Sequence, residues 1–477
     1  MRFLLTAFFT ITYISAFSQS IIGWQAPYPV AGRVYGNLHP RIKLDKLHNP
    51  MVVWGDENGK AWFAKWGGEA FSQPVSIGPT SAEAFATSWA GPDIAAHGDT
   101  VYITYKEIPE ETSHIYIKHS YDGGVNFSAP ALVDDGNDFI SRFPTITTDE
   151  AGNPYISYMK VSKGYDAARY VVAKSLDLGE SFLRDTTGSI QSGANVCECS
   201  PASLVVSGNA AVLLYRNNSS GLRNIWGGIS MNACTAFRNS LQLDSTSYYP
   251  ATCPASGPHG VIVGDTLYSV YMSGIGEKGL VYLSKLSLST SAITTMPLTG
   301  PVTGVVSQNF PRISGNGIAE AIVWTQTVGG NNQVCLSFTG ELTNGFPQLY
   351  DTVAEGVMIN ADVAIGGGFI YVVWEDHVNR CVMFRRGVYY KKKTVTENTT
   401  IFINQPEKGQ KYFSVVLADI VSCALIDATG SQAELDLSYP KNSNICHISI
   451  DDMDPGAYTV KIWDKEGKVY TAQLQIK

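Results

Sequence analysis

The sequence predicts an all-β fold: a β-propeller, most simply of seven blades and alternatively of six, followed by a small β-sandwich. Three observations lead to this prediction. A turn motif recurs at a spacing of 55 residues, a short segment that usually contains proline recurs along the chain, and an apolar run ending in an aromatic residue follows each such segment. A repeat of about 50 residues is typical of an array built blade by blade.

The turn motif reads S-x-D-x-G-x-x-F. It is complete in Ser120–Phe127 and Ser175–Phe182, and Ser230–Phe237 keeps the frame with Asn and Cys in place of Asp and Gly. The Asp can accept hydrogen bonds from the backbone of its own turn, the Gly supplies a backbone angle that other residues resist, and the Phe can enter the neighbouring apolar layer. We therefore expect a structural role for Ser120, Asp122, Gly124, Phe127, Ser175, Asp177, Gly179 and Phe182.

The proline segments predict the innermost strand of each blade, and the aromatic runs predict the second strand. The first series stands at Pro40, Pro92, Pro144, Pro201, Pro258 and Pro311, with Asn360–Val363 in the seventh place. The second series ends at Trp54, Tyr105, Tyr158, Tyr215, Tyr271, Trp324 and Trp374. The last blade shows three strands, so we expect Trp24–Val30 to supply a fourth and close the ring, which removes exposed sheet edges. Six blades with one irregular insertion is the alternative.

The two ends of the chain differ from the propeller, which we place at 19–393. Residues 1–18 combine a basic start, an apolar stretch and a small-x-small site, which predicts a secretory signal peptide. A polar linker at 394–404 precedes six short segments at 405–477 in which apolar and polar residues alternate. These segments predict the β-sandwich. After the leader no stretch is long and apolar enough to span a bilayer, so we expect no transmembrane segment.

Composition excludes one class of partner and indicates an oxidising compartment. The 34 Lys and Arg against 42 Asp and Glu form no basic stripe, so nucleic-acid binding is not expected. Eight cysteines in an exported chain favour disulfides.

Two disulfide pairings are suggested by position. Cys197 and Cys199 precede one innermost strand and Cys253 holds the matching place before the next, so a bridge between them is plausible, with Cys234 as a further candidate. Cys423 and Cys446 could pair in the last domain. A metal site on three of these cysteines lacks the spacing of zinc patterns, and no metal or cofactor is expected.

The chain resembles two known classes of sequence. The turns around Asp122 and Asp177 resemble the Asp-box, or bacterial neuraminidase repeat, of sialidase-like propellers, and the resemblance extends over about 24–390. The tail, with Asp454–Ile462, Glu466–Lys468 and a final strand, resembles the C-terminal sorting domain of type IX secretion substrates. That second resemblance implies the type IX secretion machinery as a partner, passage through the periplasm and outer membrane, and release or attachment at the cell surface.

Propeller geometry brings the starts of innermost strands and the ends of second strands to one face, which is where a ligand would bind. The turn motifs belong to the opposite face. The candidate ligand-binding residues on this face are Arg41, Asp56, Asp93, Glu107, Arg142, Arg216, Arg312, Asp362, Glu375 and Asp376, with Glu57, Lys106, Lys160 and His377 beside them.

The sialidase resemblance implies three arginines on a sugar carboxylate, an acid/base Asp and a Tyr–Glu nucleophile pair. Arg41, Arg142, Arg216 and Arg312 could supply such a clamp, since Arg presents a planar fork to carboxylates. However, the order Pro40-Arg41-Ile42 departs from the Arg-Ile-Pro of the family, and Tyr105 near Glu107 is one nucleophile option among several.

Each of these residues also has a structural interpretation. The arginines could form salt bridges, Asp93 and Asp362 could bond neighbouring loops, and Glu375–His377 could be a solvated loop.

The leading hypothesis is a secreted, surface-associated propeller that recognises extracellular glycans or glycoproteins. An exo-acting glycoside hydrolase of sialidase type and a protein-binding adhesion scaffold are the alternatives. A glycan-binding face should present exposed Trp or Tyr beside polar groups. Trp54, Trp324 and Trp374 are candidates for that role or for the core.

Overall fold

The computed structural model describes residues 21–79, 82–136, 139–189, 195–275, 278–300, 304–342, 345–390, 403–417, 420–428, 431–438, 445–464 and 469–477. The predicted signal peptide and residues 394–402 of the predicted linker lie outside the described residues. Within the described ranges, no helix has the length and apolar character needed to cross a membrane. A short 3-10 helix spans Arg33–Tyr35.

Strands dominate the described part of the chain up to residue 390, and they form antiparallel sheets in chain order. The first sheet holds Leu38–Leu44, Pro50–Gly55, Ala61–Lys65 and Val75–Ser76; the second Glu83–Ala84, Asp93–His97, Thr100–Ile108, Ile115–Ser120 and Ala131–Leu132; the third Phe139–Thr148, Pro154–Ser162, Arg169–Lys174 and Thr186–Thr187; the fourth Asn195–Val196, Ser203–Ser207, Ala210–Asn218, Ile225–Ser230 and Asn239–Gln242.

Three further sheets follow the same plan. The fifth holds His259–Val263, Thr266–Ile275, Lys278–Ser287 and Ile293–Pro297; the sixth Val305–Gly315, Glu320–Val328, Asn331–Thr339 and Asp351–Gly356; the seventh Met358–Gly366, Phe369–Asp376, Cys381–Tyr390, Ile21–Trp24 and Tyr28–Pro29. The predicted all-β class and the propeller are confirmed by this strand pairing.

The ring closes through the segment that precedes the first sheet. Ile21–Trp24 and Tyr28–Pro29 both pair antiparallel with Cys381–Tyr390, as the three-stranded end of the repeat predicts. The innermost strands of the seven sheets contact one another in a closed cycle, and Met358–Gly366 of the last sheet contacts Leu38–Leu44 of the first. The starts of these strands therefore converge on one axis.

The aromatic residues that end the second strands form the core between sheets. Trp54, Trp324 and Trp374 are 0%, 0% and 1% exposed, so they do not offer a surface to a glycan. Each large ring buries apolar area between two sheets, which is the main favourable contribution to folding.

The turn motifs make the hydrogen bonds expected of them. The Gly124 N–H donates to Ser120 Oγ at 2.9 Å, and the Asn126 N–H donates to Asp122 Oδ1 at 2.9 Å. The same frame of bonds recurs among Ser175, Asp177, Gly179 and Ser181 and among Ser230, Asn232, Cys234 and Ala236. The aromatic residues of the motifs, Phe127, Phe182 and Phe237, pack against buried clusters.

The C-terminal strands form two small sheets. One holds Tyr412–Val416, Ile445–Ser449 and Leu437–Ser438, and the other holds Gln432–Glu434, Ile420–Ile426, Gly456–Asp464 and Val469–Ile476. Their buried apolar residues form one cluster, so the two sheets make a sandwich. It contacts the propeller, where Gln410 Nε2 donates to the Gly367 carbonyl at 2.7 Å.

One of the predicted disulfides is present. Cys199 and Cys253 are bonded and join the segments that lead into the fourth and fifth sheets. Cys234 and Cys423 are free thiols, so the proposed participation of Cys234 and the Cys423–Cys446 bridge are not realised. Both thiols are buried in apolar surroundings, and burial raises the pKa of each to about 12.

Candidate functional site

The innermost strands of four sheets begin with a β-bulge. His39, Phe143, Phe310 and Asn360 have φ between 51° and 54°, and the pairing register shifts at each of these places. A bulge redirects side chains that regular alternation would place elsewhere. Three of these residues, His39, Phe310 and Asn360, consequently line a pocket on the axis of the propeller.

This pocket, called the central pocket below, lies on the face that the sequence predicts. Every sheet, or the loop leading into it, contributes to the lining, which consists of His39, Arg41, Trp89, Asp93, Thr145, Pro201, Ala202, Ser256, Gly257, Pro258, Phe310, Pro311, Arg312 and Asn360. Its volume is about 30 Å³, which accommodates a water-sized group rather than a whole sugar ring.

Trp89 is the exposed aromatic residue of the central pocket, whose lining also includes Phe310. Its side chain is 38% exposed. The loop that carries it is anchored, because Thr87 N–H donates to the Ala90 carbonyl at 2.8 Å and Ser88 Oγ donates to Glu375 Oε2 at 2.8 Å. Sequence reasoning missed Trp89, although its place three residues before the Pro92 marker is a usable signal.

Arg41 is a buried cation whose hydrogen bonds all go to neutral acceptors. Its guanidinium donates to the Pro40 carbonyl at 2.8 Å and to Asn360 Oδ1 at 3.2 Å, and it lies 3.2 Å from His39 Nδ1. Burial, followed by repulsion from Arg312, lowers the pKa of Arg41 to about 10, so it remains charged at neutral pH. Burial and the two arginines hold the pKa of His39 well below its ordinary value.

Arg312 is held by Asp362. Its Nε donates to Asp362 Oδ1 at 3.1 Å, and Asp362 Oδ2 accepts the Ile42 N–H of the first sheet at 3.0 Å. Burial acts to raise the pKa of Asp362, but Arg312, Arg41 and Lys43 outweigh it and hold that pKa below its ordinary value. Asp362 is therefore a structural anion that orients Arg312 and closes the ring.

Asp93 makes the equivalent link between the second and third sheets. Its Oδ1 accepts the Ile94 N–H at 2.9 Å, and its Oδ2 accepts the Ile146 N–H at 3.0 Å. Asp93 and Asp362 therefore do bond to neighbouring sheets, but their partners lie in the innermost strands and not in the loops that the structural interpretation named. Asp93 also lines the central pocket, but each of its carboxylate oxygens already accepts a hydrogen bond from a backbone N–H.

Glu375 is fully buried and organises the same end of the axis. Its Oε1 accepts the His39 N–H at 2.8 Å and Asn360 Nδ2 at 2.9 Å, and His377 Nε2 lies 3.2 Å from Oε2. The hydrogen bond to Glu375 raises the pKa of His377. Glu375 is thus a positioning group behind the pocket wall rather than a solvated loop residue.

The remaining predicted residues do not line the central pocket. Asp56 and Asp376 cap their own turns, accepting the Lys60 N–H at 2.9 Å and the Asn379 N–H at 2.8 Å. Burial raises the pKa of Glu107. Glu57 forms an exposed ion pair with Arg380. Lys106 donates a hydrogen bond to the Ser113 carbonyl, and the buried Lys160 forms ion pairs with Asp135 and Asp185.

Two of the four candidate clamp arginines lie elsewhere. Arg142 Nε pairs with Glu110 at 3.0 Å. Arg216 is fully buried and donates to the Met272 carbonyl at 2.8 Å and the Ser256 carbonyl at 3.3 Å. The structure therefore brings together Arg41 and Arg312 but not a third arginine from this set. Tyr105 and Glu107, the candidate nucleophile pair, also lie outside the pocket lining.

The other end of the axis holds a wider cavity of about 470 Å³. Its lining comes mainly from the innermost strands and the turns that follow them, and it includes Lys43, His48, His259 and, at the start of a second strand, Glu320. Both carboxylate oxygens of Glu320 are buried and have no hydrogen-bond partner among the described residues. This cavity lies on the side of the disc away from the predicted ligand face.

Among the described residues, one group has the composition and spacing to hold a metal ion, the sulfur atoms of Cys197, Cys199 and Cys253. Two of these three are joined in a disulfide, and a disulfide sulfur is not a thiolate ligand.

No protein-family model matches this chain, and no curated protein matches it. A polysaccharide lyase described as an ulvan lyase has a TM-score of 0.49 at 10% identity, covering 78% of this chain and 96% of its own. The Trypanosoma rangeli sialidase has a TM-score of 0.43 at 12% identity, covering 92% and 84%. An α-L-arabinofuranosidase from Fusarium graminearum has a TM-score of 0.42 at 16% identity, covering 69% and 98%. Likeness at this level carries no argument about activity.

Proposed function

We propose that this chain is a secreted, surface-associated propeller that binds extracellular glycans bearing an acidic group. One observation carries the proposal: an exposed tryptophan, Trp89, borders a small pocket lined by two arginines, Arg41 and Arg312. The flat apolar face of an indole offers a surface for a sugar ring, and polar groups around the indole can bind the hydroxyl groups of the sugar. The two guanidinium groups suit a carboxylate or sulfate.

The size of the central pocket favours a particular mode of binding. Small-molecule pockets usually measure roughly 300–1,000 Å³, whereas this one measures about 30 Å³. An acidic substituent fits that space while its sugar ring stays at the mouth against Trp89. None of the hydrogen bonds of Arg41 goes to a carboxylate. A bound anion would therefore add a direct ionic contact to the attraction that Asp362, Asp93 and Glu375 already exert on this buried cation.

The same features disfavour the exo-acting hydrolase. Such an enzyme encloses the terminal sugar, and the sialidase resemblance calls for three arginines with a Tyr–Glu pair. Arg142 and Arg216 are engaged elsewhere, and neither Tyr105 nor Glu107 lines the pocket. A scaffold that binds protein would instead present a broad apolar rim, which the charged lining of this pocket does not provide.

Binding is tested with a glycan array that contains matched acidic and neutral oligosaccharides, followed by calorimetric titration of the strongest ligand. We expect preference for acidic members. Trp89→Ala and Arg312→Lys should each weaken binding by about tenfold, a loss of roughly 1.4 kcal/mol. Tyr121→Ala removes an exposed aromatic on the opposite face and should leave affinity unchanged. Equal binding by wild type and Trp89→Ala would contradict the proposal.

Turnover is tested separately with a fluorogenic sialoside, using Arg312→Ala as the inactive control. We expect the purified wild-type chain to release no more fluorophore than this variant. If the wild type hydrolyses the sialoside and Arg312→Ala does not, the chain is an exo-acting hydrolase and the binding proposal is wrong.

The proposal also includes the route to the cell surface. The leader at 1–18 would direct export to the periplasm, and the segment at 405–477 would direct passage through the outer membrane by the type IX machinery. This part rests on the signal-peptide pattern at 1–18 and on the resemblance of the tail to type IX sorting domains. Deleting 405–477 in the native host should retain the propeller in the periplasm, as fractionation and surface labelling would detect. Undiminished surface labelling of the truncated chain would contradict it.

A further inference from the structure

Three cysteine sulfur atoms lie together on the two segments that lead into the wall of the central pocket. Cys199 and Cys253 form the disulfide. The Sγ of Cys197 lies 3.3 Å from that of Cys199 and 3.2 Å from that of Cys253. A free thiol is therefore in van der Waals contact with both sulfurs of a disulfide.

Two polar groups lie next to the sulfur atom of Cys197. Cys197 is fully buried, and it interacts electrostatically with the guanidinium of Arg216. Arg216 is also fully buried, and its Nε has no hydrogen-bond partner among the described residues. Ser200 Oγ lies 3.6 Å from Cys197 Sγ. The neighbouring cation favours the negative charge that a sulfur atom carries when it attacks a disulfide, whereas the Ser200 hydroxyl donates its proton to the Pro254 carbonyl.

The disulfide joins two segments that form part of the pocket wall. The segment after Cys199 continues into Pro201 and Ala202, and the segment after Cys253 continues into Ser256–Pro258, all of which line the central pocket. Arg216 Nη2 donates to the Ser256 carbonyl at 3.3 Å. A change of bridge partner would therefore shift the spacing of residues on two sides of the pocket.

We propose that Cys197 is the third member of a thiol–disulfide exchange site, so that the pocket wall is held by either of two interchangeable bridges. The Cys197 thiolate attacks Cys253 Sγ, the Cys197–Cys253 bond forms, and the Cys199–Cys253 bond breaks. Cys199 leaves as a thiolate and takes up the proton that Cys197 lost. One disulfide and one thiol are present before and after, so no oxidant or reductant is consumed. The exchange itself does not depend on glycan binding.

The proposal is tested by mapping the free thiol in the full-length oxidised protein. Thiols are alkylated at low pH, which stops exchange, and the labelled and bridged peptides are identified by mass spectrometry. We expect the label to be divided between Cys197 and Cys199, with Cys253 bridged in both species. The buried Cys335, which has a free thiol, serves as an internal standard after denaturation. Label on Cys197 alone, even after incubation with reduced glutathione, would overturn the proposal.

Two variants give a second readout. In Cys199→Ser we expect a Cys197–Cys253 bridge, and in Cys197→Ser we expect the Cys199–Cys253 bridge alone. Circular dichroism spectra and Tm values that match those of the wild type show that both variants are folded. If one variant does not fold, the mapping of the free thiol in the wild type tests the proposal by itself. The proposal fails if folded Cys199→Ser leaves Cys197 and Cys253 both alkylated. It also fails if the wild type carries three free thiols and one tightly bound zinc ion per chain, because that result identifies a thiolate metal site.

Discussion

Glu320 is a carboxyl group in an unfavourable setting. It is fully buried beside the wider axial cavity, and neither oxygen has a hydrogen-bond partner among the described residues. Gly315 lies opposite it, where a Cβ would approach the carboxyl group to within 1.9 Å. Burial raises the pKa of Glu320 to about 7, since the ionised form loses its hydration without gaining a partner.

This shift predicts how stability depends on pH. The folded-state pKa of about 7 exceeds the ordinary 4.5, so between these values the folded chain binds a proton that the unfolded chain has released. Its contribution is therefore fully present below pH 4.5, and stability falls as pH rises toward 7. Relative to wild type, Glu320→Gln should gain about 2.5 kcal/mol in free energy of unfolding between pH 5 and pH 8.

Urea titrations at the two pH values measure this difference. Glu150 is exposed, so Glu150→Gln should reproduce the wild-type pH dependence. If Glu320→Gln also reproduces it, the carboxylate is ionised and hydrated in the folded protein.

At the scale of a single turn, Gly124 is required for two reasons. Its φ is +88°, and a Cβ there would lie 2.5 Å from Phe63 Cζ, which itself contacts Phe127. Gly98 also has a positive φ, of +62°, but a Cβ there would meet nothing within 4 Å. Gly124→Ala should therefore destabilise by roughly 2–4 kcal/mol, and Gly98→Ala by about 1 kcal/mol. Equal losses in chemical denaturation would show that the contact with Phe63 relaxes freely.

The links between sheets are unequal, which predicts an order of mutational cost. Asp362→Ala removes an acceptor from the Ile42 N–H and leaves the Arg312 guanidinium without its carboxylate, so we expect a loss of about 3–5 kcal/mol. Asp93→Ala removes one hydrogen bond to the neighbouring sheet, the one that Asp93 accepts from the Ile146 N–H. We expect it to lower the free energy of unfolding by about 1–3 kcal/mol. Thermal and urea unfolding measure both, and a smaller loss for Asp362→Ala would contradict this account of ring closure.

At the scale of the whole molecule, the repeat was sufficient to predict the architecture. All seven repeats contain the aromatic strand, six contain the proline segment and three contain the turn motif. Local signals that agree with one another specify one fold. Closure by the segment around Trp24 followed from counting strands, because a blade with three strands leaves an unpaired edge.

The site was only partly predictable, since the directions of side chains depend on backbone detail that the sequence does not display. The bulges at His39 and Asn360 turn those residues into the pocket, and nothing in the alternating pattern marks them. Arg41 in an innermost strand and Arg216 in a second strand are both predicted on the ligand face, yet one lines the pocket and the other is buried against carbonyl groups. The volume of the pocket likewise depends on packing among all seven sheets.

The most direct test of the central claim is a crystal structure of the chain with an acidic oligosaccharide selected by the array. We expect a sugar ring against Trp89, with its carboxylate or sulfate within hydrogen-bond distance of Arg41 or Arg312. A ligand bound instead in the opposite axial cavity beside Glu320, or on the C-terminal sandwich, would contradict it.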